Sequence, residues 1–116
     1  MDVRIKRVYE PPAPDDGFRV LVDRLWPRGL SKERAAIDLW EKDVAPSDAL
    51  RTAFHHGGLP WPDFADHYRA ELAGAPALDE LRRTVADHTT TTLLYAAHDE
   101  QHNQAVILQH LLTDAA

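Results

Sequence analysis

The sequence contains no cysteine among its 116 residues, which excludes disulfides, thiolate metal ligands and a cysteine nucleophile. No apolar run approaches the roughly 18 residues that span a bilayer, and residues 1–6 lack the apolar segment of a signal peptide. The phosphate-loop and dinucleotide-binding motifs are also missing, because Arg28-Gly29 and Gly57-Gly58 lack the required spacing. These absences predict a cytoplasmic protein outside the membrane and outside the common nucleotide-binding classes.

The net charge of -6 is unevenly distributed along the chain. Residues 1–34 contain eight Lys and Arg against six Asp and Glu, whereas residues 35–116 contain five against thirteen. Binding to a nucleic-acid polymer requires the neutralisation of several phosphates, so the acidic remainder disfavours nucleic acid as a partner. A local group of arginines can still bind one anion. We therefore expect a small anionic ligand.

The apolar pattern predicts strands that alternate with helices. Strands are predicted at residues 3–9, 18–22, 37–40 and 90–97, and helices after Ser31, from Ser47 to Gly57, from Pro60 to Gly74, from Pro76, and from about Glu100. This order is typical of a single α/β domain, here residues 1–116, with a small, largely parallel sheet of about four strands layered with helices.

Two features of this architecture stay open at the level of sequence. The connection at residues 10–17 is short for a helical crossover, so the first two strands are either antiparallel or not adjacent. The last helix has a broad apolar side that includes Val106, Ile107, Leu111 and Leu112. This side faces either the sheet or a second copy of the chain, which leaves a homodimer open.

The stretch from Val20 to Gly29 carries the strongest functional signal. Asp23, Arg24 and Arg28 follow an apolar strand, and the ligands of open α/β sheets bind at the carboxyl ends of strands. Asp23 can take a proton or orient water, and the arginines can hold an anion. The alternative is an ion pair between Asp23 and Arg24 that fixes the turn. Trp26 either stacks on a base or sugar or packs in the core.

Further polar residues follow the other predicted strands, so we predict a shared crevice. The candidate catalytic residues are Asp23, Asp99 and His102, and the candidate ligand-binding residues are Arg24, Trp26, Arg28, Lys42, Arg51 and Asn103. His98 and His102 are four residues apart, as in some zinc sites, but no third ligand is apparent, so neither a metal nor a cofactor is predicted. His55 and His56 are a candidate general base or interact with the helix dipole.

Several motifs together resemble the YeaO-like branch of the family called domain of unknown function 488. The shared segments include Lys6-Arg7-Val8-Tyr9, Val20 to Gly29, Ala45-Pro46-Ser47, Leu50-Arg51, Trp61 with Phe64 and Tyr68, Leu93 to Ala97, and Asp99 with His102-Asn103. The resemblance implies a compact α/β fold in small cytoplasmic proteins of bacteria or archaea. It implies no established activity.

The residues favour two hypotheses of different classes. The leading hypothesis is a small-molecule enzyme or hydrolase that acts on an anionic substrate, with a nucleotide-like molecule as one candidate. The alternative is a binding or regulatory module that recognises a metabolite without transforming it. A single-stranded nucleic-acid binder that uses Trp26 and Trp61 is a third and less favoured hypothesis.

Overall fold

A computed structural model describes residues 2–113 as an α/β fold with a four-stranded parallel sheet. The strands are β1 (Asp2–Arg7), β2 (Phe18–Leu21), β3 (Leu39–Trp40) and β4 (Thr90–Tyr95). The helices are α1 (Lys32–Ala35), α2 (Asp48–His55), α3 (Trp61–Leu72), α4 (Pro76–Ala86) and α5 (Gln104–Thr113). Two short 3-10 helices cover Pro14–Asp16 and Lys42–Val44. The predicted α/β class with a small sheet is confirmed.

The strand order is β1-β4-β2-β3, and all pairings are parallel. Strand β4 lies between β1 and β2, with Ile5 and Val20 both opposite Leu93. The first two strands are therefore not adjacent, which explains how the short connection at residues 10–17 joins parallel strands. The apolar run at Val20 to Val22 lies in an interior strand and its continuation, as expected for residues that are covered on both faces.

Successive strand residues point to opposite faces of the sheet, and each face has its own core. Val20 and Leu93 point into the larger one, which we call the large core, together with the apolar sides of α2 to α5. Leu21 and Leu94 point into the small core, which also contains Ala35 of α1. The predicted apolar stripe of α3 packs in the large core, where Phe64, Tyr68 and Leu72 are buried.

A buried ion cluster lies next to the small core, on the same face of the sheet. Asp16 accepts hydrogen bonds from Arg19 at 2.5 Å and from Lys6 at 3.1 Å, and the backbone N–H of Ala13 donates at 2.9 Å. Arg19 also donates to the carbonyl of Ala35 at 2.8 Å. Burial raises the pKa of Asp16, but its three donors outweigh that effect and hold the pKa below its usual value. The cluster ties β1, β2 and α1 together.

The end of the chain differs from the sequence prediction in two places. Strand β4 ends at Tyr95 rather than Ala97, and α5 begins at Gln104 rather than near Glu100. The later start arises because Asn103 caps the helix, with its side-chain oxygen accepting from the N–H of Ala105 at 3.0 Å. The apolar side of α5 faces the sheet, since Ile107 is buried in the large core. The homodimer stays a prediction.

No helix within residues 2–113 is both long enough and apolar enough to cross a membrane.

Candidate functional site

A crevice opens between the carboxyl ends of the neighbouring strands β2 and β4. The connection after β2 leads to α1 on the face of the small core, whereas the connection after β4 leads to α5 on the opposite face. Adjacent strands whose connections leave in opposite directions produce a cleft at the sheet edge, which is where α/β proteins bind ligands. The cavity measures about 270 Å³. Its lining includes Asp23, Arg24, Arg51, Phe54, His55, Phe64, Asn103 and Gln104.

Asp23 is the central acid of this crevice, but it does not pair with Arg24. One carboxylate oxygen accepts from the N–H of Ala96 at 3.0 Å, and the other accepts from the side-chain amide of Gln104. Within residues 2–113 it forms no salt bridge, so the alternative of an ion pair with Arg24 does not hold. Burial raises the pKa of Asp23 to about 6, although the two hydrogen bonds oppose the shift. Asp23 therefore exchanges a proton near neutral pH.

Arg24 turns away from Asp23 toward the segment that precedes α2. Its guanidinium donates to the carbonyls of Pro46 at 3.3 Å and Ala45 at 3.2 Å. Its Nε also lies 4.0 Å from a carboxylate oxygen of Asp48. Because its fork of donors binds these two carbonyl oxygens, Arg24 fixes one wall of the crevice and still brings positive charge to it.

Arg51 brings the second positive charge into the crevice from α2. Its Nη2 contacts the Asp48 carboxylate at 3.4 Å. Its Nε is buried, and within residues 2–113 no acceptor bonds to it. A buried donor without an acceptor costs about 1–3 kcal/mol, so this atom favours an added acceptor. The helix that holds Arg51 begins at the Ser47 cap, whose hydroxyl accepts from the N–H of Leu50 at 3.2 Å.

The rest of the crevice is mainly apolar. Phe54 and Phe64 stack with ring centroids 4.5 Å apart and form one wall. Leu25 lies at the opening and is 63% exposed, which is unusual for a leucine beside a polar site. His55 adds a ring whose pKa is lowered by burial and by the positive charges of Arg51 and His56. Both effects disfavour the charged form of the His55 ring.

Four of the nine predicted site residues line the crevice, namely Asp23, Arg24, Arg51 and Asn103. Three others lie elsewhere: the loop after β2 carries Trp26 and Arg28 over the small core, and Lys42 follows β3. Trp26 packs edge to face on Trp40 at 5.5 Å and donates to the Leu30 carbonyl at 2.6 Å. Arg28 is exposed, and its carbonyl accepts from the Tyr9 hydroxyl at 2.9 Å. Lys42 lies over the Trp40 ring at 5.1 Å.

Asp99 and His102 form an exposed pair outside the crevice lining. The Asp99 carboxylate accepts from the N–H of Gln101 at 2.9 Å and contacts the His102 ring at 2.9 Å. Hydrogen bonds from Gln101 and His102 lower the pKa of Asp99. The His102 ring packs beside Trp61 at 5.1 Å. No group of three or more His, Asp or Glu side chains within residues 2–113 has the arrangement of a metal site.

Two positioning residues were not identified from the sequence. Gln104 holds Asp23 from the first turn of α5, and a single glutamine after a predicted strand gives no warning of that role. Arg7 donates to the carbonyls of Ala97 at 2.9 Å and Ala96 at 3.4 Å, and so fixes the end of β4. Arg7 lies at the end of the neighbouring strand β1. Its position at a strand end was a weak indication of a role in the site, but the sequence has several other charged residues near Arg7 and nothing that distinguishes it from them.

The parallel sheet and its cleft define a small α/β protein with a crevice at the strand ends. The chain belongs to the family described as the inactive DUF488-N3 subclade, whose match covers residues 2–116. It is similar to the uncharacterized protein YeaO of Escherichia coli (strain K12), with 42% identity over 108 residues, 93% of this chain and 94% of the relative. The predicted YeaO-like resemblance is confirmed.

The chain is also similar to the uncharacterized protein Rv3073c of Mycobacterium tuberculosis (strain ATCC 25618 / H37Rv). The identity is 43% over 109 residues, which cover 94% of this chain and 92% of the relative. No solved structure gives a significant match to the chain.

Proposed function

We propose that this protein is a non-catalytic binding module for a small anionic molecule, which occupies the crevice between β2 and β4. The observation that carries the proposal is the convergence of two guanidinium groups on a crevice with an apolar wall, where the buried Nε of Arg51 bonds to no acceptor within residues 2–113. Guanidinium groups recognise carboxylates and phosphates through paired hydrogen bonds. The word inactive in the family description supports binding without turnover.

The environment of Asp23 also supports a binding role. Both of its carboxylate oxygens already accept hydrogen bonds from Ala96 and Gln104, which hold the two strand ends and α5 together. Because these hydrogen bonds hold the carboxyl in place, Asp23 suits the role of a fixed part of the crevice wall. The lone pairs that they leave free can still take a proton.

One observation favours the second candidate, a hydrolase that acts on an anionic, nucleotide-like substrate. Burial raises the pKa of Asp23 to about 6, and perturbed carboxyls in crevices are frequent in active sites. Under this alternative Asp23 exchanges the proton while Arg24 and Arg51 hold the anion. Hydrolysis assays with nucleotides and sugar phosphates distinguish the two, because turnover that disappears in Asp23→Asn would replace the binding proposal with the enzyme.

A thermal-shift screen tests the binding proposal. Wild type, Arg51→Gln and Arg28→Gln are melted with nucleotides, sugar phosphates, carboxylates and simple anions. A ligand at about 100 times its Kd raises the free energy of unfolding by about 2.7 kcal/mol. We expect at least one anion to raise the Tm of wild type and of Arg28→Gln, but not of Arg51→Gln.

The Arg28→Gln variant is the matched control, because it removes the same charge from an exposed arginine outside the crevice. If Arg28→Gln loses the ligand response and Arg51→Gln keeps it, the binding site lies elsewhere and the proposal is wrong.

A location in the cytoplasm and the absence of nucleic-acid binding are further parts of the proposal. The packing of Trp26 against Trp40 supports the absence of nucleic-acid binding. Trp26 is one of the two tryptophans that the nucleic-acid hypothesis uses for base stacking, and here its ring packs on another side chain.

A further inference from the structure

We infer that the crevice binds a monocarboxylate with a flat apolar body, and that it takes up one proton at Asp23 as the ligand binds. The inference rests on the anion-binding function proposed above. It narrows the ligand from anions in general to those with a single negative charge. Phosphate esters, which carry nearly two negative charges at neutral pH, are thereby disfavoured.

The balance of charges around the crevice limits the charge of the ligand. Arg24 and Arg51 supply two positive charges, but Asp48 contacts both guanidinium groups, at 4.0 and 3.4 Å. Asp48 lies outside the cavity lining, and ionised Asp23 adds a second negative charge, which lies inside the cavity. The crevice is therefore neutral when Asp23 is ionised, and it gains one positive charge when Asp23 is protonated. One monoanion and one proton together restore neutrality.

The other groups that face Asp23 do not change this balance. From α2, burial and the charges of Arg51 and His56 lower the pKa of His55 and so favour its uncharged ring. From α3, Tyr68 is buried and donates to the Val44 carbonyl at 2.5 Å, and burial raises its pKa well above its usual value. From α5, Gln104 and Asn103 are uncharged amides. The remaining contact is the backbone N–H of Ala96, so Asp23 is the group that titrates here.

The size and walls of the crevice indicate the body of the ligand. A cavity of about 270 Å³ lies just below the range of about 300–1,000 Å³ that is usual for ligand pockets. The stacked rings of Phe54 and Phe64 form a wall on which a flat apolar group can lie. With the carboxylate at Arg51, a single flat ring fills the space that is left.

Three matched probes test the charge of the ligand in wild-type protein. Benzoate, phenyl phosphate and benzamide each contain one phenyl ring. At pH 7 benzoate carries one negative charge, phenyl phosphate carries mostly two, and benzamide carries none. Binding is followed by NMR through the backbone amides of Ala96 and Gln104, which flank Asp23. We expect benzoate to shift both amides with a Kd on the order of 1 mM. Phenyl phosphate should bind at least about fivefold more weakly, and benzamide should not saturate.

The proton uptake is tested by titrating benzoate at pH 6.0 and pH 7.5. Because free Asp23 has a pKa of about 6 and the complex holds the proton, we expect the Kd for benzoate to be roughly 15-fold weaker at pH 7.5. Asp23→Asn should bind benzoate with the same Kd at both pH values. Without the Asp23 charge, the variant should also bind phenyl phosphate more tightly than wild type does. A Kd that does not change with pH in wild type would overturn the coupling to a proton.

The remaining outcomes separate this inference from the function on which it rests. If phenyl phosphate shifts the crevice amides at a lower concentration than benzoate, the ligand is a phosphate. The anion-binding proposal then stands while the monocarboxylate inference falls. If no anion moves these amides in folded protein, both are overturned. Arg51→Gln should abolish the shifts of Ala96 and Gln104 with benzoate, and a site at another surface would leave them intact.

Discussion

Asp16→Ala is expected to lower the free energy of unfolding by about 3–5 kcal/mol, because it leaves Arg19 charged and buried without its partner. Asp16 and Arg19 are only 5% and 4% exposed, and the contact between them is 2.5 Å long. Lys6 and the N–H of Ala13 lose an acceptor at the same time. Urea denaturation at pH 7 measures the change.

Asp79→Ala is the matched control for this prediction. Asp79 pairs with Arg82 at 3.8 Å on the exposed side of α4. Exposed pairs contribute little, so we expect a loss below about 1 kcal/mol. If the two variants are equally stable, the cluster at Asp16 is not the buried link that joins β1, β2 and α1.

Asp23→Asn is expected to become more stable relative to wild type as pH rises, because the ionised, buried Asp23 destabilises the wild-type protein. The folded-state pKa of Asp23 is raised to about 6 from an ordinary 3.8. Between these values the folded state binds the proton more strongly than the unfolded state, so its stability falls as pH rises and levels off above pH 6. Because Asn cannot ionise, the stability of the variant relative to wild type should increase by about 1–2 kcal/mol from pH 4.5 to 7.5. Urea denaturation at several pH values gives this difference.

Asp99→Asn controls for the sign of the effect. Hydrogen bonds from Gln101 and His102 lower the pKa of Asp99, so its ionised form stabilises the folded state above the unfolded-state pKa. This contribution is lost as pH falls. Asp99→Asn should therefore lose stability relative to wild type only as pH rises from below the ordinary pKa of 3.8 and through it, which is the opposite direction, and its difference from wild type should stay constant from about pH 4.5 to 7.5. A flat difference for Asp23→Asn would contradict the burial of an ionised carboxylate in the crevice.

Local patterns were sufficient to predict most elements of the fold. The alternation at residues 3–9 and the apolar runs at 18–22 and 90–97 correspond to β1, β2 and β4. The caps Ser31 and Ser47 begin α1 and α2 as expected. The strand order could not be read in this way, because pairing in a parallel sheet depends on contacts between residues far apart in the chain. Strand β4, near the end of the chain, pairs with β1 and β2 near its start, and local patterns do not predict such pairing.

The candidate site was predicted only in part, for a related reason. Chain position predicted that Asp23 and Arg24 follow a strand, but it did not indicate the direction of the loop after them. That loop carries Trp26 and Arg28 onto the small core, where Trp26 packs with Trp40. Arg24 turns toward the carbonyls of Ala45 and Pro46, which no residue pattern reveals. Gln104 reaches Asp23 only because α5 begins beside β2.

The most direct test of the central claim is the affinity of one anion for three proteins. The tightest-binding anion from the thermal-shift screen is titrated by calorimetry into wild type, Arg51→Gln and Arg28→Gln. We expect the Kd to be at least about tenfold weaker in Arg51→Gln, since a hydrogen bond to a charged group contributes about 1.5–3 kcal/mol. Arg28→Gln should stay within about twofold of wild type, because its side chain is exposed outside the crevice. Equal affinities for wild type and Arg51→Gln would contradict an anion site between β2 and β4.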